Sequence, residues 1–254
     1  MPELLSTRAI VLRTSPFGES DLVVSLLTEQ FGKRSAFAAR ARATNRKLRG
    51  GLRPLSLAVV HLKPRHGSEL DRLMESEVQY DASMLGRDLR VFGVASVAAE
   101  AASWMLADHQ GDATLFERTE RLFQWLTATE RPDALLWVAL SRYLLLLLDE
   151  AGVWPGSDGM GSDASGRIED VVVAGISPRG WVDRSQLGRE PGAIAVTEQM
   201  LAYFTLIEQA RMPSGEALEQ AARCTALLHA MVGWQTQRSL QSWDFLCQVM
   251  PLRG

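Results

Sequence analysis

The sequence predicts an α+β protein in two parts, a small N-terminal β-barrel of five short strands and a larger helical bundle carrying a β-hairpin. Three observations predict it. Short Val- and Leu-rich runs separated by turn residues continue as far as Tyr80, and from Asp81 apolar residues recur at spacings of three and four. Charge divides at the same place: residues 1–80 hold 13 Lys+Arg against 8 Asp+Glu, and residues 81–254 hold 14 against 22. All three lysines lie in the first part and all seven tryptophans in the second. The expected domains are therefore 1–80 and 81–254, in a chain of 254 residues long enough for one or two cores.

Taken in order, Thr7 to Thr14 is strand-like and Ser15-Pro16-Phe17-Gly18-Glu19-Ser20 supplies turn chemistry. Leu22 to Thr28 is a second strand, and Phe31-Gly32 turns into a third over Lys33 to about Ala41. On that strand the period of two puts Arg34, Ala36, Ala38, Arg40 and Arg42 on one face, and Ser35, Phe37, Ala39 and Ala41 on the other. Phe37 is expected to point into the core, with the guanidinium groups outward. Leu55 to Leu62 and Leu70 to Val78 complete five strands, with His66-Gly67 marking the hairpin between them. Five strands with a long connection between the third and fourth follow the plan of an OB-fold, a common host of nucleic-acid sites, and fit an SH3-like barrel as well.

Leu85, Leu89, Phe92, Ala95, Ala99, Ala102 and Leu106 mark a long amphipathic helix, and a second runs from Asp112 to Ala128. Pro132-Asp133 open a third, which continues through Leu148 to a stop near Gly152. Residues 155–168 are rich in Gly, Ser and Asp and read as a loop. Their glycines follow a helix rather than a strand and lack the lysine of a phosphate loop. Asp158 and Glu169 have the outer spacing of an EF-hand, but Asp163 stands where glycine is required. Val171–Ile176 and Gly180–Asp183 form the hairpin, within an insertion at about 153–190. Helices follow from Thr197 to about Arg211, Ser214 to Met231 and Ser239 to Val249.

Catalytic sets are missing from this pattern, so no enzyme activity is expected. His61, His66, His109 and His229 fall in no metal-ligand spacing, and Ser141 and Ser177 lack a nucleophile-elbow context. Cys224 and Cys247 are too few for a disulfide framework or a four-thiolate zinc site and read as buried structural thiols. Glu3, Arg8 and Arg13 interrupt any leader-like apolar region, and the run Tyr143 to Leu148 is too short to span a membrane. A cytoplasmic protein with no membrane partner is expected.

The unusual stretch is Gly32 to Pro54. It holds Lys33, Arg34, Arg40, Arg42, Arg46, Lys47, Arg49 and Arg53, with no carboxylate between Glu29 and Glu69. A chain of net charge -3 has concentrated positive charge in one place, which self-repulsion disfavours unless an anion lies against it. These eight residues are the candidate nucleic-acid site. The first eighty residues offer only Phe17, Phe31, Phe37 and Tyr80 as aromatics, so phosphate contacts rather than stacking are expected to dominate. Six Arg against two Lys suits bidentate phosphate contact. Two other readings remain open: an RNA-binding barrel, and a protein adaptor docking an acidic peptide on its basic segment.

The run from Ala9 to Pro54 resembles the RecO family of bacterial recombination mediators. Gly18-Glu19-Ser20-Asp21, Leu26-Leu27-Thr28, Gly32-Lys33, Ala39-Arg40-Ala41-Arg42 and Gly50-Gly51-Leu52 with Pro54 carry the resemblance, and Ile176-Ser177-Pro178-Arg179-Gly180 extends it. The resemblance implies an N-terminal OB-fold followed by a helical domain, binding of single- and double-stranded DNA, and annealing of complementary strands. It also implies work near the nucleoid with RecR and with the acidic tail of the single-strand-binding protein, so that RecA is loaded at gaps. Many members carry a four-cysteine zinc site matching residues 151–190; this chain has no cysteine there, and no metal or other cofactor is expected.

Overall fold

The computed structural model describes residues 4–42, 48, 52–65, 67–128, 131–157 and 172–252. The chain divides into two compact units, Met1–Glu130 and Arg131–Gly254. The divide falls well after the change of periodicity at residue 81, because the first two helices pack on the barrel.

In the first unit, β1 (Leu5–Phe17), β2 (Asp21–Thr28), β3 (Gly32–Ala38), β4 (Leu57–Lys63) and β5 (Asp71–Tyr80) close a barrel in the order β1-β2-β3-β5-β4. This is the OB-fold arrangement. The long β1 serves two neighbours: Leu5 to Ile10 pair with β4, Ala9 to Phe17 pair with β2, and a bulge lies between Val11 and Arg13. Ser15 and Pro16 belong to this strand rather than to a turn, with Pro16 opposite Leu22. Beyond Ile10 the strand has one neighbour, so proline's missing N–H is tolerated on the open side. Parallel pairing of β3 with β5 closes the barrel at Ala36–Asp71 and Phe37–Arg72.

Side-chain polarity on β3 is opposite to the sequence expectation. Ala36 and Ala38 are wholly buried in the barrel, and Phe37 points outward, edge-on to Phe17 at 5.7 Å. The narrow interior takes methyl groups here; a phenyl ring would overfill it. Val11, Val24, Leu26, Val60, Leu62 and Leu73 fill the remainder. Leu48 and Leu52, from the basic connection, complete the same cluster at 2% and 7% exposure.

A 3-10 turn over Ala82–Arg87 precedes α1 (Leu89–Met105), which Asp88 caps through the Arg90 amide. Leu89 and Phe92 of the predicted stripe are exposed, while Val91, Val94, Val97 and Ala98 are buried. α2 (Ala113–Ala128) buries Leu115, Phe116, Phe123 and Leu126 as the spacing predicts. Both helices are held to the barrel by cations over rings: Arg13 lies 4.5 Å from the Trp104 ring, and Arg8 lies 5.2 Å from Phe116 while pairing with Glu29 and Glu120.

The second unit contains α3 (Asp133–Glu150), α4 (Glu198–Glu208), α5 (Glu216–Glu219), α6 (Ala221–Thr236) and α7 (Gln241–Val249). The predicted hairpin, β6 (Val172–Ser177) and β7 (Gly180–Asp183), gains a third strand, β8 (Ile194–Thr197), on the far side of β6. Those four residues are too few to show a period. The predicted helix from Ser214 is two helices, broken at Gln220. Most of the Gly/Ser/Asp loop, residues 158–168, lies outside the described residues.

Candidate nucleic-acid interface

The basic connection leaves β3 at the barrel end that carries Phe17 of β1 and Asp21 of β2. The eight predicted cations have different fates there. Arg34 shares the interior parity of Ala36 and Ala38, and its side chain is only 11% exposed. An unpaired guanidinium at such a place is strongly disfavoured, and Arg34 is fully engaged. Its Nε donates to Asp71 Oδ2 at 2.7 Å, a terminal nitrogen lies 2.5 Å from the same oxygen, and the other donates to His109 Nδ1 at 2.5 Å. Asp71 itself is buried. The expectation of an outward guanidinium fails for this residue.

Lys33 is consumed in the same way. Its Nζ donates to the Leu106 carbonyl at 2.7 Å and lies 3.6 Å from Asp108, with the side chain 13% exposed. Its backbone binds the α1–α2 connection too: the Lys33 amide donates to Gln110 O and the His109 amide donates to Lys33 O, each at 2.7 Å. Gly32 permits that approach. It has φ +64°, and a Cβ there would meet the carbonyl oxygens of His109, Gln110 and Gly111 at 2.7–2.8 Å. The Gly32-Lys33 pair therefore clasps the helices to the open part of the β3 edge.

Arg40 and Arg42 are exposed, and their backbones are anchored. The Arg40 amide donates to Asp21 Oδ1 at 2.7 Å, and the Arg42 amide donates to the Ser20 carbonyl at 2.9 Å. Arg40 has φ 56°, a left-handed conformation costing about 1–2 kcal/mol for a residue with a Cβ, which the charge-assisted Asp21 contact offsets. Ser20 and Asp21 thus hold a pair of arginines beside the β1–β2 turn, which gives both sequence patterns one physical origin. Arg53 is 69% exposed and lies 3.8 Å from Asp81, a screened contact worth little. Arg46, Lys47 and Arg49, with Gly50 and Gly51, lie outside the described residues, as does His66.

Sequence reasoning missed residues that the strand register brings beside β3. Arg72 is the Cα partner of Phe37 on one side and of Lys63 on the other, and both cations are exposed. The Phe17 ring beside them is 56% exposed. No local pattern marks Arg72 and Lys63, because their proximity to β3 arises from the parallel β3–β5 closure.

Among the described residues no group of three or more His, Cys, Asp and Glu side chains is placed to hold a metal ion. Cys224 lies on α6 and Cys247 on α7, and burial pushes both thiols above their ordinary titration range, well above for Cys224. Two such thiols do not fit a four-thiolate zinc site at the hairpin. No described helix is long and apolar enough to cross a membrane.

The family described as "Recombination protein O N terminal" matches residues 1–80. The chain is similar over its whole length to the DNA repair protein RecO of Anaeromyxobacter sp. (strain Fw109-5), at 34% identity and with all of both chains covered. It is 30% identical to the DNA repair protein RecO of Myxococcus xanthus, over 95% of this chain and 96% of that one. With the RecO of Anaeromyxobacter sp. (strain K) the identity is 39%, over 59% of this chain and 57% of the relative.

Proposed function

The chain belongs to the RecO family of DNA repair proteins, and from that premise we propose that its barrel end is a sequence-independent DNA-binding surface used for strand annealing. The observation that carries this reading is the anchored, exposed pair Arg40 and Arg42 beside the β1–β2 turn. Arg46, Lys47, Arg49 and Arg53 extend the charge along the sequence, and Arg72 stands in register with Phe37 of β3 and Lys63 of β4. Guanidinium groups contact phosphate without reading bases, so bound strands keep their pairing edges available for a complement.

The finer reading is mediation of recombination. The chain binds single- and double-stranded DNA, anneals complementary strands, and with RecR and the acidic tail of the single-strand-binding protein helps load RecA at gaps. It acts in the cytoplasm at the nucleoid, without a catalytic centre of its own and without a metal or other cofactor. The test is annealing of two complementary oligonucleotides coated with single-strand-binding protein, followed with and without the full chain. Faster annealing with the chain supports the reading, and an unchanged rate contradicts it. Competition between DNA and RNA oligonucleotides of one sequence then separates a DNA function from an RNA one, since only RNA offers the 2′-hydroxyl.

A further inference from the structure

We infer that Phe17 and Phe37 form a stacking platform for the unpaired bases of a single strand, with Arg72 and Lys63 placed to hold its flanking phosphates. The inference rests on the DNA-binding reading and adds to it a preference for single strands over duplex. Phe17 ends β1 with its ring 56% exposed, and Phe37 faces outward from β3. Their centroids are 5.7 Å apart and their planes are at 89°, so each ring presents a different surface to a ligand. Phe17 is exposed and Phe37 half-buried, and a base stacked on the pair buries apolar area on both partners.

Charge says which ligand fits. Phe37 shares its register position with Arg72, and Arg72 with Lys63, so an aromatic and two cations stand abreast across three neighbouring strands. Neither cation has an ion pair among the described residues. Arg40 and Arg42, just past the end of β3, are also exposed. Of the carboxylates nearby, Asp71 is committed to Arg34 and Asp21 to the Arg40 amide, which leaves the exposed Glu19, Glu69 and Glu75. Rings interleaved with surplus positive charge suit a polyanion whose bases are free to stack, which is a single strand. Stacking engages the face of a base and leaves its pairing edge open, so the platform is compatible with annealing.

The experiment measures anisotropy of labelled oligo(dT), an abasic oligomer of the same length and a blunt duplex, with the full chain and with Phe17→Ala, Phe37→Ala and Phe37→Tyr. Each alanine variant is expected to weaken oligo(dT) binding about tenfold. Duplex binding, abasic-oligomer binding and the salt slope are expected to stay unchanged, and Phe37→Tyr to retain the affinity. Phe17 is exposed at a turn, so its alanine variant is expected to keep the parent melting temperature. Oligo(dT) binding unaltered in both alanine variants, or lost in parallel with duplex binding, overturns the platform. Failure of the parent chain to bind any of the three would overturn the DNA-binding reading itself.

Discussion

Arg34 and Arg40 differ in one respect that decides their roles: the face of β3 they inherit. Arg34 falls on the interior parity, where its side chain and that of Asp71 are 11% and 8% exposed, so the pair must be maintained for the barrel to close. Removing one partner of a buried ion pair leaves an uncompensated charge, and Asp71→Ala is expected to cost about 3–5 kcal/mol in chemical denaturation. Arg40 lies past the end of the strand with its side chain in solvent, so Arg40→Ala is expected to shift stability by under about 0.5 kcal/mol while weakening DNA binding. Asp88 offers a pH test. The Arg90 guanidinium bonded to it, helped by the backbone amides it caps, holds its carboxyl below the ordinary carboxylate range. The folded state therefore binds that proton less readily than the unfolded chain. Its contribution is present above the ordinary carboxylate range and lost as pH falls through and below it. Asn caps helices as well as Asp does, so the melting-temperature gap between the parent and Asp88→Asn is expected to be largest near neutrality and to close towards pH about 3.

Elements differ in how plainly their sequences announced them. Strand and helix types were legible, because periods of two and of three to four survive in any one segment. The polarity of β3 was not, since choosing its inner face needs the width of the barrel, and that is set by five strands together. Around α1 the stripe was legible at Leu85, Ala95, Ala99, Ala102 and Leu106, which are buried, but not at Leu89 and Phe92, which are exposed while neighbouring valines are buried instead. Within β3 the glycine at its start is the most constrained position. Gly32→Ala is expected to push the α1–α2 connection off the strand, because the new methyl would meet three backbone carbonyls at 2.7–2.8 Å. Amide hydrogen exchange at Lys33 and His109 would report the loss. In the connection after β3, Leu48 is 2% exposed within the barrel cluster, and Leu48→Ala is expected to cost about 2–5 kcal/mol.

At the scale of the molecule, a net negative chain keeps an acid-free run of eight cations in its first eighty residues. That concentration was legible at once, and so was the family. Its division of labour was not, because Lys33 and Arg34 look like their neighbours in sequence and become structural only when the 106–111 connection and β5 close around them. With Lys33 and Arg34 engaged internally and Arg53 beside Asp81, the cations proposed to meet phosphate are Arg40, Arg42, Arg46, Lys47 and Arg49, with Arg72 and Lys63. The most direct measurement is the salt dependence of oligo(dT) affinity for the parent chain and for Arg40→Glu/Arg42→Glu. Seven neutralised phosphates predict a log–log slope of about -5, falling to about -3.5 in the variant together with a large loss of affinity. A slope near zero in the parent, or a variant that binds with the parent's affinity and slope, would contradict the account.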